Sequence, residues 1–512
     1  MSSWTAGYVA DINYTHGFYR ELTPALLSLV PLIVGLGGTT VGSPLHYCEL
    51  GCGRGFSINL LAAANPEIQF HATDFNPSQI AGAKALAVDA QLSNAHFYDA
   101  TFSEFGDTPG LPDQFDIISL HGIYSWISFE NRQHIVQFIK SKLKVGGIVY
   151  ISYNALPGWA AAMPLRQLLI DAASRVHGPT ARKVPQALDA VAQFLKSSPA
   201  YLAQNPTVGP RFDKLKDMPH GYLAHEYFNR DWTPFYFADV ASDLAEAKLS
   251  FVGSTHYLDH IDSINFTDEQ RELLGKSSDI VHREATRDYI LNQQFRRDVF
   301  IKGPLSLTPR LAREAWLKQR FALSTNRADI ELRVKAGRGE ATMQADIYAP
   351  ILDRLSAGPA TLREMVGDAR VGQISWSNLQ QALVILIGAG HVQPALPAKD
   401  DGKRARTTKP FNQAVLHRAR DSGDLQSLAS PVTGGGVGIG RFQQLFLLAF
   451  TEGKKTSEEW AEFAWQVISS QGQAVVKEGK RLDTAEENLA EIGAQAKLFE
   501  KQLPVLKSLQ II

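Results

Sequence analysis

Five short apolar stretches, at residues 45–49, 68–74, 95–99, 115–122 and 146–154, are separated by helical patterns from about 56, over 77–90 and over 131–143. Strand-length apolar runs that alternate with helical periodicity describe βαβ units, because parallel strands need a crossover to return to the same edge. The predicted fold class is therefore α/β, a doubly wound sheet over residues 45–154. At 512 residues the chain exceeds a single core, so further regions are expected around that sheet. Residues 1–44 read as an N-terminal helical lid, and 155–345 as a helical insertion and middle region. In the latter, the strand-like stretches 250–258 and 296–303 either complete the sheet or form a separate α+β domain. Residues 346–397 follow a winged-helix-like order of helix, turn, helix and extended piece. The stretch 398–438, rich in charge and glycine, reads as a linker, and 439–512 as amphipathic helices.

Charge narrows the function classes. Lys plus Arg number 51 against 52 Asp plus Glu, a net charge of -1 that gives no global field for nucleic acid or an anionic membrane. The longest apolar stretch, Leu22 to Gly38, contains Pro24 and Pro31 and is shorter than the roughly 20 residues of a membrane span. No charged leader precedes it, and a cytoplasmic location with no membrane insertion is the expectation. Cys48 and Cys52 flank a glycine loop rather than framing a disulfide scaffold, and no metal-ligand spacing is present.

That loop is "ELGCGRG", with Glu49 at the end of the first strand and Gly51, Cys52, Gly53 and Gly55 behind it. A dinucleotide fingerprint wants its third glycine one residue later, where Phe56 stands, and no Gly-Lys-Ser/Thr follows to make a phosphate-binding Walker loop. The spacing suits S-adenosylmethionine: the methionine half along the loop amides, its amine beside Glu49. Asp74, ahead of Phe75 at the second strand end, can accept both ribose hydroxyls. Asp99 and Ala100, after the third strand, fall near the adenine edge. Each signal alone has a plain structural reading as a turn, a helix start or a loop acid. Together, at successive strand ends, they point to a nucleoside cofactor, since open α/β sheets bind ligands there.

At these residues the chain resembles the class I S-adenosylmethionine-dependent methyltransferases, "ELGCGRG" matching their first motif and "TDFNPSQI" their second. "HGIYSWIS" (121–128), "YNALPGW" (153–159), "YLAHEYFNRDWTPFYFADVASDLAEAKLSFVG" (222–253) and "LPVLKSL" (503–509) are similar to bacterial members with a methyltransferase regulatory domain, a group that includes the rickettsial protein-lysine methyltransferases. The resemblance implies a Rossmann-like core, S-adenosylmethionine as cofactor, transfer to a protein lysine or a small-molecule acceptor, and a homodimer.

Methyl transfer from a sulfonium is an in-line displacement that mainly requires alignment and exclusion of water. The loop after the fourth strand borders the transferred methyl in this fold, so His121 and Tyr124 are expected to face the reaction centre and Trp126 the acceptor channel. Tyr153, Asn154 and Trp159, leaving the fifth strand, are further acceptor-side candidates. Tyr14 and Tyr19 are candidates to cover the methionine end. Methylation of a nucleic-acid base is disfavoured: the fourth-strand loop reads His-Gly-Ile-Tyr where an Asn/Asp-Pro-Pro-aromatic sequence would engage an exocyclic amine. Small-molecule methylation is the serious alternative to lysine.

Overall fold

The computed structural model describes residues 5, 7–9, 11–12, 16–39 and 41–512. Seven strands, β1 (Leu45–Leu50), β2 (Ile68–Asp74), β3 (Ala95–Asp99), β4 (Phe115–Leu120), β5 (Leu143–Asn154), β6 (Leu249–Ser254) and β7 (Phe295–Lys302), form the central sheet in the order β3-β2-β1-β4-β5-β7-β6. The first five in sequence are parallel, and β7 runs antiparallel between β5 and β6. The winding direction reverses between β1 and β4, which opens a crevice at their carboxyl ends. The two late strands thus complete the sheet, and residues 250–258 and 296–303 do not form a domain of their own.

Within residues 1–44, helix α1 (Pro24–Ile33) is buried in the core and is not part of a lid. Its sequence is apolar on every side, as befits a helix enclosed between two layers, and its buried residues include Leu26, Leu27, Leu29 and Val30. The Tyr47 hydroxyl donates to the Leu22 carbonyl at 2.9 Å and the Tyr257 hydroxyl to that of Leu26 at 2.6 Å, joining the helix to the sheet and to the turn after β6. On its other side lies a unit that begins before residue 346. Strand β8 (Arg320–Leu323) pairs with β9 (Ala360–Thr361) and β10 (Val392–Ala395), so the three-stranded sheet of this unit takes its middle strand from upstream of the expected boundary.

Helix α2 (Phe56–Ala64) follows the glycine loop, and all of its residues are buried. One side covers the sheet; the other is covered by the stretch expected to be a linker. Residues 398–438 instead contain helix α3 (Asp401–Arg418) and a hairpin of β11 (Ser427–Ser430) and β12 (Gly435–Gly438). The charges that suggested a solvated loop include Arg404, fully buried, which donates to the carbonyls of Pro431 and Pro397 and to Asp401. The glycines serve close approach: a Cβ on Gly436 would stand 2.8 Å from the Phe18 ring and 2.9 Å from Leu60 of α2. Asn65 reaches the Gly434 carbonyl at 2.7 Å, and Thr407 the Ala63 carbonyl at 2.6 Å. The remaining residues to the C-terminus are mainly helical, including Arg441–Thr451, Ser457–Ser470 and Ala485–Glu500.

Between β5 and β6 the chain builds a helical layer with its own apolar cluster, in which Leu165, Leu169, Val184, Phe212 and Leu223 meet. It returns to the sheet at 233–235, where Thr233 donates to the Ser125 carbonyl and Phe235 to the Asn154 carbonyl. Among the described residues, no helix is long and apolar enough to cross a membrane.

Candidate functional site

A cavity of about 640 Å³ occupies the crevice at the carboxyl ends of β1, β2, β4 and β5. One wall is the glycine loop with Glu49, Asp74, Phe75 and Ala100; the opposite wall is the helical layer after β5.

The loop wall is built by backbone geometry. Gly51, Gly53 and Gly55 all have positive φ, and at Gly51 (φ 74°) a Cβ would also fall 2.0 Å from Ile123, so the β1 and β4 loops meet only because that side chain is absent. The expectation that the methionine half lies along free loop amides needs correction. Gly51 and Cys52 donate to the Thr73 carbonyl, Gly53 to Asp74 Oδ2 at 2.9 Å, and Gly55 to the Cys52 carbonyl. Those amides hold the loop's own shape, and Glu49 at the end of β1, Cys52 and Arg54 line the cavity beside them.

Glu49 is buried, and its Oε2 has no hydrogen-bond partner among the described residues. Burial, reinforced by repulsion from Asp74, pushes its carboxyl up to about 8. Asp74 accepts amides from Gly53 and Asn76, yet burial still raises it to about 6. Each of its oxygens keeps a second lone pair, enough for a pair of vicinal hydroxyls. An orphaned buried acid beside a carboxylate that can take a diol fits the amine and ribose of S-adenosylmethionine. Ala100, Thr101 and Phe102 line the cavity beyond them, whereas Asp99 is exposed at the end of the edge strand and is not part of the lining.

His121 lines the cavity with its Nδ1 at 2.9 Å from the Tyr150 hydroxyl and its ring stacked on Tyr19 at 3.8 Å. Burial lowers its imidazole to about 4, so the ring is neutral near pH 7. Tyr19 also lines the cavity and is tied down by its amide, which donates to Ser57 Oγ at 3.3 Å. Tyr14 lies outside the described residues. Trp126, Asn154 and Trp159 all line the cavity. The Asn154 amide N–H donates to Ser125 Oγ at 2.9 Å, and its side-chain carboxamide makes no hydrogen bond among the described residues.

Two expected residues are elsewhere. Tyr124 is fully buried and donates to Asp243 Oδ2 at 2.7 Å, packed on Phe235 and away from the cavity. Tyr153 precedes Asn154 in β5 and so points to the opposite face of the sheet, where its hydroxyl donates to Asp298 Oδ2 at 2.7 Å. Asp298 belongs to a buried cluster around Arg296, which also pairs with Asp288 and Glu284.

Sequence reasoning missed most of the second wall: Arg211, Met218, Tyr222, Glu226, Tyr227 and Asp231 from the helical layer, with Phe295 and Arg297 from β7. It also missed Tyr8 and His16. Tyr8 bonds His225 at 3.2 Å and meets Phe75 edge-on, and His16 bridges to Asp424 at 3.1 Å. The N-terminal segment therefore borders the cavity while contacting both the helical layer and the C-terminal region. The alternating aromatic and polar residues of 222–232 were the available signal, but nothing in their spacing locates them over β5.

A family described as a methyltransferase domain matches residues 42–195, and one described as a predicted methyltransferase regulatory domain matches 219–302. An uncharacterized protein of Synechocystis is 44% identical over 510 residues, covering 99% of this chain and 100% of that protein. An uncharacterized protein of Rickettsia prowazekii is 26% identical over 314 residues, 59% of this chain and 55% of the other. Among solved structures, PKMT2 from Rickettsia typhi in complex with AdoHcy superposes with a TM-score of 0.70 at 17% identity, covering 96% of this chain and 99% of that one.

Proposed function

The chain belongs to the S-adenosylmethionine-dependent methyltransferases that carry a methyltransferase regulatory domain, and from that premise we propose that it methylates an amine, the side-chain nitrogen of lysine in a protein. The observation that carries the choice of an amine is the acceptor wall: the indoles of Trp126 and Trp159 beside the unpartnered Asn154 carboxamide and the neutral imidazole of His121. Asn154 Oδ1 accepts an N–H and so directs the nitrogen lone pair. Aromatic faces desolvate the amine, which favours its neutral, nucleophilic form, and then favour the cationic product. In the tautomer in which His121 Nδ1–H donates to the Tyr150 hydroxyl, Nε2 keeps a lone pair that can accept an N–H of the acceptor.

In this reading Glu49 holds the cofactor amine, Asp74 the ribose, and Tyr19, stacked on His121, the methionine end. When bound, S-adenosylmethionine supplies a methyl group on a positively charged sulfur. The likeness to PKMT2 supports a protein acceptor through fold alone. The test is transfer of labelled methyl to lysate fractions, with acid hydrolysis of the protein fraction. Label recovered as methylated lysine supports the reading; label confined to the small-molecule fraction replaces it with metabolite methylation.

A further inference from the structure

Among the described residues, the helical-layer wall contains one guanidinium with no carboxylate at ion-pair distance, although Glu226 and Asp231 line the same wall. Of the arginines lining the cavity, Arg297 pairs with Glu21 at 3.1 Å, and Arg54 lies beside His16, which bridges to Asp424. Arg211, on the helix Val208–Lys216, has no carboxylate partner among the described residues. Its guanidinium lies 3.8 Å above the Trp159 ring, and its N–H edges reach only the Tyr227 hydroxyl and Gln294 Oε1, all at 3.4 Å. The indole holds the group by its face, and the three long contacts leave further N–H groups on Nη1 and Nη2 for a planar anion. Trp159 follows β5, two strand positions from Glu49 or about 10 Å across the sheet, and Gln294 precedes β7, three positions or about 14 Å away. A carboxylate seated there belongs to the acceptor and not to the cofactor.

We propose that Arg211 selects acceptors bearing a carboxylate near the amine, either a lysine flanked by acidic residues or an amino-acid metabolite. The inference rests on the amine reading above and adds the second group that the acceptor must carry. The test uses the full chain with S-adenosylhomocysteine bound and two matched pairs: a lysine peptide flanked by Glu against its Gln-flanked counterpart, and free lysine against lysinamide. Calorimetry and methyl transfer are read for wild type, Arg211→Gln and Arg211→Lys. In at least one pair, wild type prefers the carboxylate member by roughly tenfold, as expected for one charge-assisted contact; Arg211→Gln reduces this to within twofold and Arg211→Lys is intermediate. The pair that shows the preference identifies the source. Equal binding within both pairs, no binding of any member, or a preference that survives in Arg211→Gln overturns the inference. So does a loss of S-adenosylhomocysteine affinity in Arg211→Gln, which would place the cofactor's own carboxylate at Arg211. A binding preference without methyl transfer to any member leaves Arg211 in its role and removes the amine reading instead.

Discussion

The two walls of the cavity are made in opposite ways. The cofactor wall is a contiguous piece of backbone: a strand end, a turn that only glycines can make, and an acid at the end of the next strand. The acceptor wall is assembled from side chains as far apart in the chain as Trp126, Asn154, Arg211, Tyr222 and Arg297. The first is set by chain geometry and admits little variation. The second is set by packing of a helical layer, and its chemistry can change without disturbing the sheet.

The largest effect is expected from Glu49→Gln. It removes the carboxyl whose Oε2 is left without a partner among the described residues, and cofactor affinity should fall roughly 100-fold, in keeping with about 3 kcal/mol for a charge-assisted bond. The same variant should be more stable than wild type at pH 8. A carboxyl raised to about 8 by folding stabilises the fold fully below its ordinary range near 4.5, and that contribution is lost as pH rises through about 8. Calorimetry and thermal unfolding on one sample check both statements.

A smaller effect is expected from pH alone. Glu49 is protonated at neutral pH in the free protein and ionised when it pairs with an ammonium, so cofactor binding releases a proton. Affinity should rise up to about tenfold per pH unit below 8 and flatten above it. Calorimetry in buffers of different ionisation enthalpy measures the released proton directly; a flat profile would put the cofactor amine elsewhere.

On the other wall, Asn154→Ala should lower kcat/KM for the acceptor about fivefold, the worth of one neutral hydrogen bond, with cofactor affinity unchanged. The smallest effect belongs to Tyr124→Phe. Its hydroxyl serves Asp243 and not the cavity, so about 1 kcal/mol of stability should be lost in denaturant titration while kcat stays at the wild-type level. A large fall in kcat would return Tyr124 to the reaction centre.

The same contrast explains what the chain revealed before folding. The alternation of 45–154, the glycine turn and Asp74 were legible because each is local, an element or a strand end recognisable from its neighbours. Tyr124 and Tyr153 were misplaced because aromatic residues at a strand exit face either the cavity or the core, and one residue of phase decides which. Arg211 and Tyr227 were invisible because their position over β5 depends on how the helical layer folds back. The glycines of 434–436 looked like slack in the chain, but they let a hairpin lie flat against Phe18, Thr23 and Leu60.

The enclosure of α2 also bears on how the chain is made. Its residues, Phe56 to Ala64, leave the ribosome well before their cover, and one face stays bare until α3 and the β11–β12 hairpin have been synthesised some 350 residues later. Through most of translation the helix behind the glycine loop therefore presents an apolar face that the finished protein hides, a hazard for incomplete chains. A product cut short before residue 401 would thus leave that face of the helix uncovered, even though every residue of the glycine loop has already been made.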